Sequence, residues 1–132
     1  MKKYTKKQDE ERYKITNVEK TGKKVLDDCL NFNIDLKQLS KLIKKGYINL
    51  KSSHNNSPTV EEFYNFAKIN KLNIIFEGYI IANDREDRGI IIDAIHGDIP
   101  DNKLRVLISF AEHADELYVK LNKDGYFRVW WD

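Results

Sequence analysis

The stretch that most constrains the fold is the last one, Leu117 to Trp131 (LYVKLN-KDG-YFRVWW). Two runs of alternating apolar and polar residues flank Asp124-Gly125, a dipeptide that tolerates the backbone angles of a tight hairpin turn. Because strand side chains alternate between faces, Leu117, Leu121, Phe127, Val129 and Trp131 are predicted to point into a core. Tyr118, Lys120, Tyr126, Arg128 and Trp130 then share the opposite face, which is half aromatic and half cationic. That mixture is enriched at protein interfaces and also serves to stack bases and hold phosphates. These five residues are the partner-binding candidates. The Gly and aromatic spacing of an RNP1-type RNA-binding strand is absent.

Upstream of the hairpin the chain reads as helix and strand in alternation. Pro100 to about Ala114 carries an apolar stripe of Leu104, Leu107, Ile108, Phe110 and Ala111, with Asp98 or Asp101 as its cap. Asn73 to Ala82 and Gly89 to Ile95 are β-branched runs of strand length, joined by a polar hairpin loop over 83–88. With Ile74, Phe76 and Ile80 facing the core, Glu77 and Tyr79 fall outside. Strict alternation in the next strand points Ile90, Ile92 and Ala94 inward and leaves Ile91, Asp93 and Ile95 out. An outer face that apolar needs a cover, and the N-terminal helices are expected to supply it. Before these strands, Ser57 or Thr59 caps a helix in which Thr59-Val60-Glu61-Glu62 has the capping-box pattern and Val60, Phe63, Tyr64, Phe66 and Ala67 form the apolar face.

The first part of the chain is less regular. Residues 1–16 read as a loosely ordered basic tail, because Tyr4, Tyr13 and Ile15 follow no useful period. Val18 to Asn31 has Val25, Leu26, Cys29 and Leu30 near helical spacing, and Asp35 caps a second helix, Leu36 to Lys45, that ends at Gly46. Tyr47 to Lys51 alternates; if it is a strand, it lies at a sheet edge. SSHNNSP at 52–58 is the loop joint between this helical part and the αββαββ part at 59–132. The expectation is therefore one α+β domain over 17–132. It has a four-stranded, mainly antiparallel sheet packed with helices, and a fifth edge strand if 47–51 pairs. A ferredoxin-like βαββαβ order is the rival; it makes 117–130 one long strand with Asp124-Gly125 as a bulge.

Charge is uneven along the chain. Residues 1–56 hold 14 Lys+Arg against 7 Asp+Glu, net +7, whereas residues 57–132 hold 9 against 14, net −5. The 18 Lys, 12 Asn and 15 Ile fit an AT-rich genome, bacterial or borne by a phage or plasmid, so lysine number alone argues for nothing. Lys41, Lys44 and Lys45 in the last turns of the second helix complement its dipole. As a phosphate-binding patch they are the nucleic-acid alternative.

No catalytic or phosphate-cradling motif is present, and no cofactor or metal is implied. His96-Gly97-Asp98 and His113 with Asp115 flank opposite ends of the last helix, ~20 Å apart, too far for one metal. An unrecognised enzyme would need a concavity holding at least two of Tyr79, Asp93, His96 and Asp98. The single cysteine, Cys29, forms no internal disulfide and suits a reducing compartment. With no signal-peptide pattern and no membrane-spanning run, the expectation is a cytoplasmic, non-enzymatic interaction module that binds a protein partner or its own copy.

Overall fold

The computed structural model describes residues 4–18, 24–26, 29–81, 89–121 and 124–132. The 83–88 loop and part of the predicted helix at 18–31 lie outside them. The protein is α+β, with helices packed on an antiparallel sheet.

In chain order the helices are α1 (Lys6–Thr16), α2 (Leu36–Lys44), α3 (Val60–Asn70) and α4 (Leu104–Phe110), the last preceded by a 3-10 turn at Asp101–Lys103. The strands are β1 (Lys24–Leu26), β2 (Cys29–Ile34), β3 (Ile74–Ile81), β4 (Ile90–Asp98), β5 (Glu116–Lys120) and β6 (Tyr126–Trp130). They form one sheet in the order β1-β2-β3-β4-β6-β5, with every neighbouring pair antiparallel. The sheet thus has six strands rather than four. The hairpin β5–β6 is formed, which sets aside the βαββαβ rival.

Three expectations change in the N-terminal part, each for a local reason. Residues 6–16 are a helix, not a loose tail, because Thr5 and Gln8 make reciprocal capping bonds and Asn17 closes the other end at φ 60°. The helix is easily missed, since beside Ile15 and Thr16 it buries Arg12, a charged residue with no exposed surface. Within the predicted helix at 18–31, the described residues 24–26 and 29–31 are strand, in β1 and β2. CLNFNI has period 2, which sends Phe32 and Ile34 into the core and Asn31 and Asn33 outward, and β2 pairs with β3 from Cys29↔Ile81 to Ile34↔Phe76. Residues 47–51 are turns, not an edge strand: Ser52 N–H bonds the Asn49 carbonyl and Tyr47 N–H that of Leu42, yet Tyr47 and Ile48 are still buried.

The helices α2 and α3 begin where their caps predict, at Asp35 and Thr59, both in capping boxes. No side chain caps the last helix, so neither Asp98 nor Asp101 has that role. The four helices described send buried side chains into one cluster with one face of the sheet. Ile15, Leu39, Phe63 and Leu107 from the helices meet Phe32, Phe76, Ile95, Phe127 and Val129 from the strands. At its centre Phe63 stands edge-on to Phe76, Phe110 and Trp131, at centroid distances of 6.2, 5.9 and 5.3 Å.

The alternation of β4 is broken by a β-bulge. Glu77 pairs with Ala94 but Gly78 pairs with Ile92, so Asp93 is an extra residue with no partner of its own. The bulge shifts the phase by one. Ile90 and Ile92 face the core before it and Ile95 after it, with Ile95 fully buried. The expected outward Ile95 is therefore wrong, and the outer face is less apolar than strict alternation implied. Gly78 is required beside the bulge: a Cβ there would lie 1.8 Å from the Ile91 carbonyl oxygen. At the sheet edge the expected core residues Leu117 and Leu121 remain 41% and 42% exposed. The helix α4 is seven residues long and buries only Leu107.

Candidate functional site

With the helices packed on one face, the other face of the sheet carries the polar and aromatic residues. No described helix covers it with its buried stripe, contrary to the expected N-terminal cover. The register lays its side chains out in rows across the strands. One row runs Asn33, Glu77, Ala94, Trp130, Glu116 from β2 to β5. The next runs Ile75, His96, Arg128, Tyr118, and a third Asp98, Tyr126, Lys120. On the opposite side of the first row lie Asn31, Tyr79 and Ile91. All five sequence-predicted residues, Tyr118, Lys120, Tyr126, Arg128 and Trp130, share this face. Tyr118 and Tyr126 are exposed and Trp130 is half-buried, whereas the adjacent Trp131 lies in the core.

Glu77 is the hub of the face. It accepts Arg128 Nε and Nη2 at 3.1 and 3.2 Å, one on each oxygen, and His96 Nδ1 at 2.8 Å. An ionised carboxylate can only accept, so Nδ1 is the protonated nitrogen of His96. Burial pushes the Glu77 carboxyl up, but the Arg128 and His96 hydrogen bonds outweigh it and hold the group below the usual carboxylate range. The same pairing raises the Arg128 guanidinium. The His96 ring then stands beside Tyr126, and Tyr126 beside Tyr118, each at 6.3 Å between centroids.

Asp93 has the opposite environment. It lies on the same face, where burial pushes its carboxyl above the ordinary value against the pull of His54 and Arg128. Among the described residues no other side chain hydrogen-bonds or ion-pairs with it. Between Asp93 and the neighbouring strands lies a depression of about 330 Å³, lined by Asn31, Asn33, Glu77, Tyr79, Asp93, Arg128 and Trp130. His54, in the loop joint, is half-buried and edge-on to Tyr79 at 6.3 Å. Of the four residues named for an enzyme concavity, Tyr79 and Asp93 line the depression and His96 adjoins it through Glu77. Asp98 is exposed at the end of β4, opposite Tyr126.

Sequence reasoning missed Asn31, Asn33 and Glu77 as members of this site. The asparagines were hidden by the helical reading of 18–31. A signal for Asp93 was present in IIIDAIHG, where the spacing of apolar residues changes from two to three at Asp93-Ala94, as a bulge requires.

The nucleic-acid candidates lie elsewhere. Lys41, Lys44 and Lys45 line a groove of about 870 Å³ between α2 and α3, together with Lys37, Lys68 and Tyr64. Lys45 pairs with Glu11 of α1 at 3.5 Å, and Lys68 lies 5.6 Å from the centre of the Tyr64 ring. Among the described residues no three His, Cys, Asp or Glu side chains are grouped to hold a metal, and no helix is long and apolar enough to cross a membrane.

The fold and this face together define a helix-backed antiparallel sheet with one open, aromatic and polar side. Comparison with protein-family models, with curated proteins and with solved structures gives no match.

Proposed function

We propose that this protein is a non-enzymatic interaction module that docks a protein partner, or a second copy of itself, on the open face of its sheet. The observation that carries the reading is the concentration of Tyr79, Tyr118, Tyr126, Trp130 and Arg128 on the face opposite the helices. Tyrosine, tryptophan and arginine dominate binding energy at protein interfaces, since they supply large, stiff contact area with a polar tip. The electrostatics favour a protein over single-stranded nucleic acid. Glu77 cancels Arg128, and Lys120 shares its cross-strand row with Asp98, so the cations of the face alternate with carboxylates and form no track for phosphates. A cytoplasmic setting belongs to the same reading, supported by a single cysteine.

Photo-crosslinking from a benzoylphenylalanine placed at position 126 tests this in the cells that express the protein, with light scattering to detect self-association. The expected result is a discrete adduct that disappears when Trp130→Ala is added while the thermal melt is kept. The same adduct from the Trp130→Ala protein, with no self-association, overturns the reading.

A second reading, nucleic-acid binding through the α2–α3 groove, has one observation in its favour: five lysines line that groove. It predicts retardation of DNA or RNA that weakens steeply with salt and is lost on replacing Lys41, Lys44 and Lys45 by Gln.

A further inference from the structure

We infer that the depression on the open sheet face is a receptor for one cationic side chain, an arginine of the docked partner. The inference rests on the docking reading above and names the group that the face would grip. Its basis is a charge left over inside a built pocket. Arg128 and Glu77 satisfy each other through two hydrogen bonds at 3.1 and 3.2 Å, so neither offers a net charge to a ligand. Asp93 is then the charged group lining the depression that no described side chain hydrogen-bonds or ion-pairs, although His54 and Arg128 act on its charge through space. A half-buried carboxylate without a partner is costly, and an incoming cation with its own donors is what offsets that cost.

The walls narrow the choice further. Tyr79, Asp93 and Trp130 come from β3, β4 and β6, three adjacent strands, so a carboxylate lies in the same depression as two aromatic rings. Asn33 adds an amide oxygen from β2. A guanidinium fits this set better than an ammonium. Its planar fork meets a carboxylate with two parallel donors, its remaining N–H groups reach an amide oxygen, and its weakly hydrated faces stack on aromatic rings. About 330 Å³ lies at the lower edge of the range for small-ligand pockets, room for one side chain. The bulge leaves Asp93 with no residue opposite it on β3.

The test is an NMR titration of the full chain with N-acetyl-arginine-amide, N-acetyl-lysine-amide and N-acetyl-citrulline-amide, the last an uncharged mimic of arginine. Saturable shifts are expected at the Trp130 indole N–H and at the amides of Tyr79 and Asp93 with the arginine ligand, about tenfold weaker in Asp93→Asn. Citrulline should give none. Shifts of equal size with citrulline, or binding unchanged in Asp93→Asn, overturn the inference; equal binding of the lysine ligand overturns the assignment to arginine. The crosslinking result separates the two levels. A partner lost with Trp130→Ala but kept by Asp93→Asn leaves the docking face standing and removes the arginine pocket.

Discussion

The lysine groove between α2 and α3 and the open face of the sheet are both charged surfaces, and they are built in opposite ways. In the groove, five cations lie along two helices, and among the described residues only Lys45 has a carboxylate partner, Glu11 at 3.5 Å. Lys68 lies over the Tyr64 ring, and Lys37, Lys41 and Lys44 are exposed, as expected of a solvated helix face. On the sheet, charges of both signs are set by strand register. Arg128 lies beside His96 across β4 and β6, and both reach the same Glu77 on β3. A count of charges along the chain points to the groove; their arrangement points to the sheet. Preorganised groups on rigid strands can select a partner, whereas a flexible lysine cluster attracts anions with little discrimination.

The comparison breaks most severely at Gly78, which sits beside the bulge and lines the depression. In Gly78→Ala the new methyl would fall 1.8 Å from the Ile91 carbonyl oxygen and 2.9 Å from the Phe32 ring, so the strands must part. A loss of about 3 kcal/mol or more is expected in urea unfolding. Gly89→Ala, where nothing lies within 4 Å of the added atom, is the control and should stay within about 0.5 kcal/mol. Equal stability of the two variants would mean that the β3–β4 register differs from the one described.

A middle-sized effect separates the two surfaces directly. Glu77→Gln leaves Arg128 and His96 without their common acceptor and should cost about 1–2 kcal/mol, less than for a fully buried pair because Arg128 is 40% exposed. Lys44→Gln in the groove should change stability by no more than about 0.5 kcal/mol in either direction. The Glu77 contribution also has a pH signature. Its folded pKa is depressed, so the stabilisation is present above the unfolded carboxylate value, ~4.3, and is lost as pH falls through the lower folded value. Unfolding of wild type and Glu77→Gln should therefore converge in acid. A constant gap from neutral pH downward would show that the penalty is not electrostatic.

How much of this was legible in the sequence follows from how far each signal reaches along the chain. The hairpin β5–β6, the paired strands β3 and β4, and the capped helices α2 and α3 depend on short local patterns, and they lie where those patterns put them. The five aromatic and basic residues of the hairpin share a face because period 2 within one hairpin already fixes it. What failed was ambiguous or non-local. CLNFNI supports a helical stripe when read from Val18 and a strand when read alone, and only pairing with β3 decides. Residues 6–16 lacked an apolar period because the helix buries the stem of Arg12, whose head lies over Tyr4 at 4.1 Å and bonds Asp9 at 2.8 Å. Glu77 stood out in no motif, since its partners come from Arg128, 51 residues away, and His96, 19 residues away.

The smallest effect has the opposite sign, and it sharpens the contrast within the sheet face itself. Asp93 and Glu77 are both half-buried carboxylates on that face, but only Glu77 is hydrogen-bonded by side chains, those of Arg128 and His96. The folded pKa of Asp93 is raised by burial, so its ionised form costs stability at neutral pH; that cost disappears as pH falls through the raised value toward the unfolded one, ~3.9. Asp93→Asn removes the charge and keeps the shape. The variant should be slightly more stable than wild type at pH 7, by less than about 1 kcal/mol, with the advantage fading in acid. A ligand that pairs with Asp93 should reverse the order, stabilising the wild type and leaving the variant where it was. Destabilisation of Asp93→Asn at neutral pH would mean that the carboxylate already has a partner within the fold, and the sheet face would then carry no unanswered charge at all.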